Sequence, residues 1–203
     1  FYLICKRAKF SFFLLLIFAT PLIFEAEHIL QIWLVDVPDG APRFMQLSLL
    51  GAMVTTLGNS GYTACIATGQ IKKYSIIITL VGSMNFFISW VAYKSGAPAE
   101  MTYVIYIIVY SIVQVVRLIL MREILGFPII MFVKGVLSKI FLPFVLAMIL
   151  PYILVQIIEP SLGRIVLICI SSVCWTGFCI VILGLTKGER DTIFSKIRTV
   201  IDK

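Results

Sequence analysis

Residues 10–24, 45–68, 74–93, 101–121, 140–158 and 165–186 form six long apolar stretches separated by short polar segments. Nothing else in the chain limits its fold as strongly. A helix needs ~20 apolar residues to cross the hydrocarbon of a bilayer. Backbone N–H and C=O groups find no water there, so only helices and closed barrels can span it. The stretches are continuous and lack the alternation of a lipid-facing barrel strand. They predict an all-α, polytopic membrane protein with six transmembrane helices. Composition agrees: 61% of the residues are hydrophobic and 13% are charged. A soluble domain holds ~45–50% apolar and ~25% charged residues. The mean hydropathy is +1.06.

The first stretch is short, but Ile29, Leu30, Ile32, Trp33 and Leu34 follow it. These suit the membrane interface, with Trp33 as a headgroup-level anchor. No small-residue cleavage site follows the first stretch, so it is not read as a signal peptide. The sequence opens on Phe1, and further chain upstream is expected. Basic residues set the orientation. With the N-terminus in the cytoplasm, only Arg43, Lys94 and Arg164 of the 17 lysines and arginines fall outside. Such a bias places both ends inside. The net charge of +7 then reads as orientation against an anionic leaflet, not as nucleic-acid binding.

Polar side chains in hydrocarbon are costly, so their placement is informative. The second helix carries Ser48, Ala52, Thr55, Asn59 and Thr63 at helical spacing. The third carries Ser75, Thr79, Gly82, Asn85 and Ser89, and the fourth Tyr103, Tyr106, Tyr110, Gln114 and Arg117. Small and hydroxyl-bearing stripes serve helix packing. The fourth stripe is bulkier and suits a wet cavity tolerant of sugars or anions. Arg117 has a second reading, snorkelling to the cytoplasmic headgroups. The fifth helix is almost wholly apolar, broken by Pro143 and Pro151. Helices two to four are therefore expected to line a common polar surface, and the fifth to meet lipid. The substrate-cavity candidates are Asn59, Thr63, Asn85, Tyr106, Tyr110, Gln114 and Arg117.

Enzyme and metal chemistry find little support. All ten carboxylates lie in expected loops, helix ends or the tail, so none sits mid-membrane to carry a proton or sodium ion. The single histidine, His28, lies beside Glu25 and Glu27 without the further ligands that a metal needs, and reads as a surface residue. Cys5, Cys65, Cys169, Cys174 and Cys179 form no Cys-x-x-Cys pair and read as small membrane-buried residues. No phosphate-binding glycine loop and no nucleophile with its base can be assembled. No catalytic residue, metal ligand or cofactor is expected.

Several segments in order resemble a known family. Pro21-Leu22-Ile23-Phe24 leads into Ile29-Leu30-Gln31-Ile32-Trp33-Leu34 and Val37-Pro38, and Ala67-Thr68-Gly69-Gln70-Ile71-Lys72-Lys73-Tyr74 follows the second span. Gly96-Ala97-Pro98, Phe127-Pro128 and Gly184-Leu185-Thr186-Lys187-Gly188-Glu189-Arg190 come later. This succession resembles the C-terminal part of bacterial polysaccharide transporters, the O-antigen and oligosaccharide flippases of the multidrug/oligosaccharidyl-lipid/polysaccharide exporter superfamily. Val35 and Gln70 depart from residues common in that family, Gly and Lys respectively.

The resemblance implies two six-helix lobes that rock about a central cavity, with two additional helices at the end of longer members. Residues 1–121 would then be four helices of the C-terminal lobe, residues 122–186 the additional pair, and residues 187–203 a cytoplasmic amphipathic tail. It implies translocation of a polyprenyl-pyrophosphate-linked oligosaccharide across the bacterial inner membrane, for lipopolysaccharide or other polysaccharide assembly. The partners would be that lipid-linked oligosaccharide, membrane lipids, and a polysaccharide polymerase or other glycan-assembly proteins. Three readings stand beside it: a cation-coupled multidrug or metabolite antiporter of the same superfamily, a polytopic glycan-assembly enzyme using the acids of the first external loop, and a purely structural membrane subunit.

Overall fold

The computed structural model describes residues 1–34, 36–69, 71–186, 188–191 and 195. The helices up to residue 184 are α1 (Tyr2–Phe24), α2 (Ala26–Trp33), α3 (Ala41–Ala67), α4 (Ile71–Lys94), α5 (Met101–Leu125), α6 (Ile129–Ile157) and α7 (Leu162–Gly184). No strand occurs among the described residues. The chain is a multi-pass helical membrane protein: α1, α4, α5, α6 and α7 are each long and apolar enough to cross a bilayer. The sequence predicts a sixth span where α3 lies. At 27 residues α3 is long enough, but Gln46, Ser48, Thr55, Thr56, Asn59, Ser60 and Thr63 lower its hydropathy. The tail residues Ile193, Phe194, Ile197, Val200 and Ile201, predicted to lie on the membrane surface, fall outside the described residues.

α1 starts well before residue 10, where the apolar stretch begins. A helix passes through charged residues without breaking, and Lys6, Arg7 and Lys9 form its first turns. Glu25 separates α1 from the two-turn helix α2, which buries Ala26 and Leu30 and leaves Ile32 and Trp33 exposed. Trp33 is 82% exposed, as an interfacial anchor would be. α5 ends at Gly126, whose φ of 67° is left-handed. Its N–H reaches the Arg122 carbonyl at 3.0 Å, and Pro128 stops further propagation.

α1 is the hub, packed against α3, α6 and α7, while α5 lies between α3 and α4. Ala8, Phe12, Phe13, Leu16 and Ala19 of α1 meet Met53 of α3, Val136, Ile140 and Ala147 of α6, and Ile180 of α7 in one core. α6 buries Ile140, Pro143, Ala147 and Pro151 along one face and exposes Phe141, Leu142, Tyr152 and Ile153 on the other. A uniformly apolar sequence carries no mark of which side meets protein; here both prolines do. Val133–Leu137 and Ile180–Gly184 are single π-helical turns within α6 and α7. At the second, a Cβ on Gly184 would overlap the Phe13 ring, so the missing side chain sets how closely α1 and α7 approach.

Candidate functional site

The fourth-helix stripe was expected to be too bulky for close packing. The structure resolves this differently, because the facing helix is pared down to glycine. Gly51, Gly58 and Gly61 lie buried on the side of α3 that meets α5. A Cβ on Gly51 would stand 2.8 Å from Tyr106 Cε1. One on Gly58 would overlap Gln114 Oε1 and Arg117 Nη1, and one on Gly61 would overlap Met121 Sδ. Tyr106, Gln114, Arg117 and Met121 thus fill notches in α3. Gln114 Nε2 donates to the Val54 carbonyl at 3.0 Å, which fixes the amide against the facing backbone. The rings of Tyr106 and Tyr110 lie 4.2 Å apart at 31°.

Among the described residues Arg117 has no salt-bridge partner. Its Nε and Nη1 are buried and have no hydrogen-bond partner. The guanidinium adjoins a cavity of ≈ 240 Å³ bounded by Gly58, Gly61, Gln114 and Met121, with Phe132 and Leu137 of α6 closing one side. Nε and Nη1 face the α3–α5 seam. Such a site suits an anion: two fixed N–H donors and a delocalised positive charge await a partner.

The other candidates do not all converge here. Asn59 and Thr63 lie on an exposed side of α3, where the Thr63 hydroxyl donates to the Asn59 carbonyl at 3.0 Å. Asn85 sits on α4 with its Oδ1 buried and without a hydrogen-bond partner. α3 and α4 both pack on α5 and scarcely touch each other, so α5 makes a separate seam with each and the three stripes do not line one common surface. Tyr110 reaches the second seam, where its hydroxyl lies 3.7 Å from the Cβ position of Gly82.

No family model, curated protein or solved structure matches this chain.

Two further charge clusters went unrecognised in the sequence. Glu25, expected in a loop, is fully buried. Arg164 Nη2 donates to its Oε2 at 3.2 Å, Arg164 Nε stands 3.0 Å from Oε1, and His28 Nδ1 lies 3.0 Å from Oε2. His28 is therefore half-buried against the Glu25 carboxylate, not a free surface histidine. Arg164 also donates through Nη1 to the Ile158 carbonyl at 3.0 Å. At the opposite end of α1, Lys9 Nζ donates to Glu189 Oε2 at 2.5 Å, and both side chains are buried. Burial alone would push the Glu189 carboxyl up. The hydrogen bonds from Lys9 and from the Thr186 N–H and hydroxyl outweigh it and hold the carboxyl below its ordinary range. Sequence spacing does not predict either pair, since each joins segments far apart along the chain.

Proposed function

We propose that this chain forms the C-terminal part of a bacterial inner-membrane transporter that moves polyprenyl-pyrophosphate-linked oligosaccharide between leaflets by alternating access. One observation carries the reading: Nε and Nη1 of the Arg117 guanidinium, buried in the α3–α5 seam and unpartnered beside a cavity. An isolated charge in a low-dielectric interior is strongly unfavourable. A pyrophosphate linker supplies the missing negative charge, and the bilayer keeps the lipid tail alongside. Gln114 and the Tyr106–Tyr110 pair would flank the linker with neutral polar groups that a sugar tolerates.

On this reading α3 is the sixth span and both ends face the cytoplasm. α1 and α3–α5 are four helices of one lobe, and α6 and α7 are the additional pair. The carried glycan serves polysaccharide or O-antigen assembly, with polymerase and other glycan-assembly proteins downstream. The sequence resemblance and the asymmetry of basic residues support the same reading.

The test is export in cells carrying Arg117→Gln or Arg117→Lys in the full-length gene. Losing a charge-assisted contact to a phosphate lowers export by about tenfold or more, with lipid-linked oligosaccharide accumulating and the protein still present in the membrane. Unchanged export in Arg117→Gln would sink the proposal.

A further inference from the structure

Tyr74 stands one turn into α4, only 1% exposed, and its hydroxyl has no hydrogen-bond partner among the described residues. The ring lies 5.8 Å from that of Tyr62 on α3. It belongs to one core with Cys65 of α3 and with Leu120 and Met121 of α5. Beside it, Lys73 pairs with Glu123 of α5. Tyr74 thus reaches inward from α4 to where α3 and α5 meet. The groups that act electrostatically on its hydroxyl are Arg117, Cys65 and Tyr62, and none of them is a carboxylate.

We infer that Tyr74 is a second binding residue of the Arg117 site, its hydroxyl and the guanidinium donating together to the oxygens of a phosphate-like anion. The inference deepens the proposed function and rests on it only for the source of that anion.

The hydroxyl is the part of Tyr74 that packing does not explain, since phenylalanine would fill the same core. Buried tyrosine hydroxyls usually find a partner, and a buried donor left without one is costly. Arg117 does not serve as that partner. A guanidinium carries donors and no acceptor, and its Nε and Nη1 are themselves unpartnered. What phenol and guanidinium both lack is an acceptor. A water offers two lone pairs and leaves the positive charge uncancelled. An oxyanion offers several acceptor positions and the opposite charge, and such charge-assisted bonds are the strong ones. A cation would meet the guanidinium charge, and an apolar occupant would leave every donor unsatisfied. The cavity beside Arg117 is ≈ 240 Å³, below the roughly 300–1,000 Å³ of sites that take drug-sized ligands. It suits a phosphate group more than a bulky molecule.

The test is calorimetric titration of inorganic pyrophosphate into the purified full-length protein in phosphatidylcholine nanodiscs. Saturable binding is expected, lost in Arg117→Gln and about tenfold weaker in Tyr74→Phe, the effect of one hydrogen bond to a charged group. Tyr74→Phe keeps the ring and removes an unpaired hydroxyl. Its ligand-free Tm should therefore equal or exceed the parent's, while the Tm rise on adding pyrophosphate shrinks. Adding phosphatidylglycerol to the nanodiscs separates the sources of the anion. Competition with pyrophosphate identifies a lipid headgroup, and no competition a linker or soluble phosphate; the site stands in both cases. The inference is overturned if pyrophosphate does not bind, if Tyr74→Phe binds it as the parent does, or if binding and ligand-free Tm fall together, as a packing role would produce. Tyr74-dependent binding with unchanged export in Arg117→Gln would remove the transport reading and keep this site. Export that needs Arg117, with binding indifferent to Tyr74, would do the reverse.

Discussion

Arg164 and Glu25 stand 139 positions apart and meet at two points, Nε to Oε1 at 3.0 Å and Nη2 to Oε2 at 3.2 Å, with both side chains almost wholly buried. Lys9 and Glu189 meet in the same way 180 positions apart, at the other end of α1. α1 and α7 are thus antiparallel, joined at one end by Glu25–Arg164 and at the other by Lys9 and the Glu189 that follows α7, with the close approach of Gly184 and Phe13 near the Lys9 end.

Removing one partner of the Glu25–Arg164 pair should be far worse than removing both. Arg164→Gln or Glu25→Gln leaves a buried charge uncompensated, a loss of ~3–5 kcal/mol, whereas matched apolar replacement of a whole pair is often neutral. Thermal unfolding in detergent should therefore rank Glu25→Leu/Arg164→Met above either single variant. A single variant that unfolds with the parent would show that the pair contributes nothing to holding α1 against α7.

The Lys9–Glu189 clasp should open in acid. The folded Glu189 carboxyl titrates below its ordinary value of 4.5. Its stabilisation is therefore complete above that value and fades as pH falls through the lower folded one. As pH falls below 4.5, the Tm of the parent should drop more steeply than that of Glu189→Gln, which has no proton to gain. Parallel curves would rule out Glu189 as a source of the acid sensitivity.

The glycine notches give a graded prediction. Gly58→Ala drives a methyl into Gln114 and Arg117, which the Val54 contact and the seam itself hold in place. Overpacking of this kind is destabilising by ~1–3 kcal/mol. Gly61→Ala meets the flexible end of Met121 and should be milder. Gly177→Ala meets nothing within 4 Å and should be stabilising by up to ~1 kcal/mol through helix propensity. Tm differences in that order support the seam; equal effects at Gly58 and Gly177 would mean that α3 and α5 are not in close contact there.

What the sequence made legible follows from what the bilayer demands. Helix positions and their apolar length are local properties, and α4 and α5 appear close to where the apolar stretches lie. The polar stripe of α5 was visible because its side chains recur at helical spacing. Its partner was not, because glycines at 51, 58 and 61 suit a helix contact without saying which helix they face. Glu25 and Arg164 look like ordinary loop charges in sequence; burial and pairing come from α7 folding back on α1. The apolar run of α6 hid its buried face for the opposite reason: every position was equally suited to lipid and to protein.

Whether α3 crosses the membrane decides between five spans and six. Its 27 residues extend about 40 Å at 1.5 Å per residue, more than the hydrocarbon thickness. Its polar groups need not face lipid, because α1 and α5 flank it and several of its hydroxyls donate to its own backbone, as Thr56 does to the Ala52 carbonyl at 2.8 Å. Both flanking helices are themselves long enough to span, and on the proposed topology α3 crosses beside them. In a cysteine-free background, Asp39→Cys before α3 and Lys72→Cys after it should then lie on opposite sides. A membrane-impermeant maleimide added to intact spheroplasts should label Asp39→Cys, and label Lys72→Cys only after permeabilisation. Labelling of both from the same side would leave α3 as a re-entrant or surface helix, and the orientation of every later helix would have to be reversed.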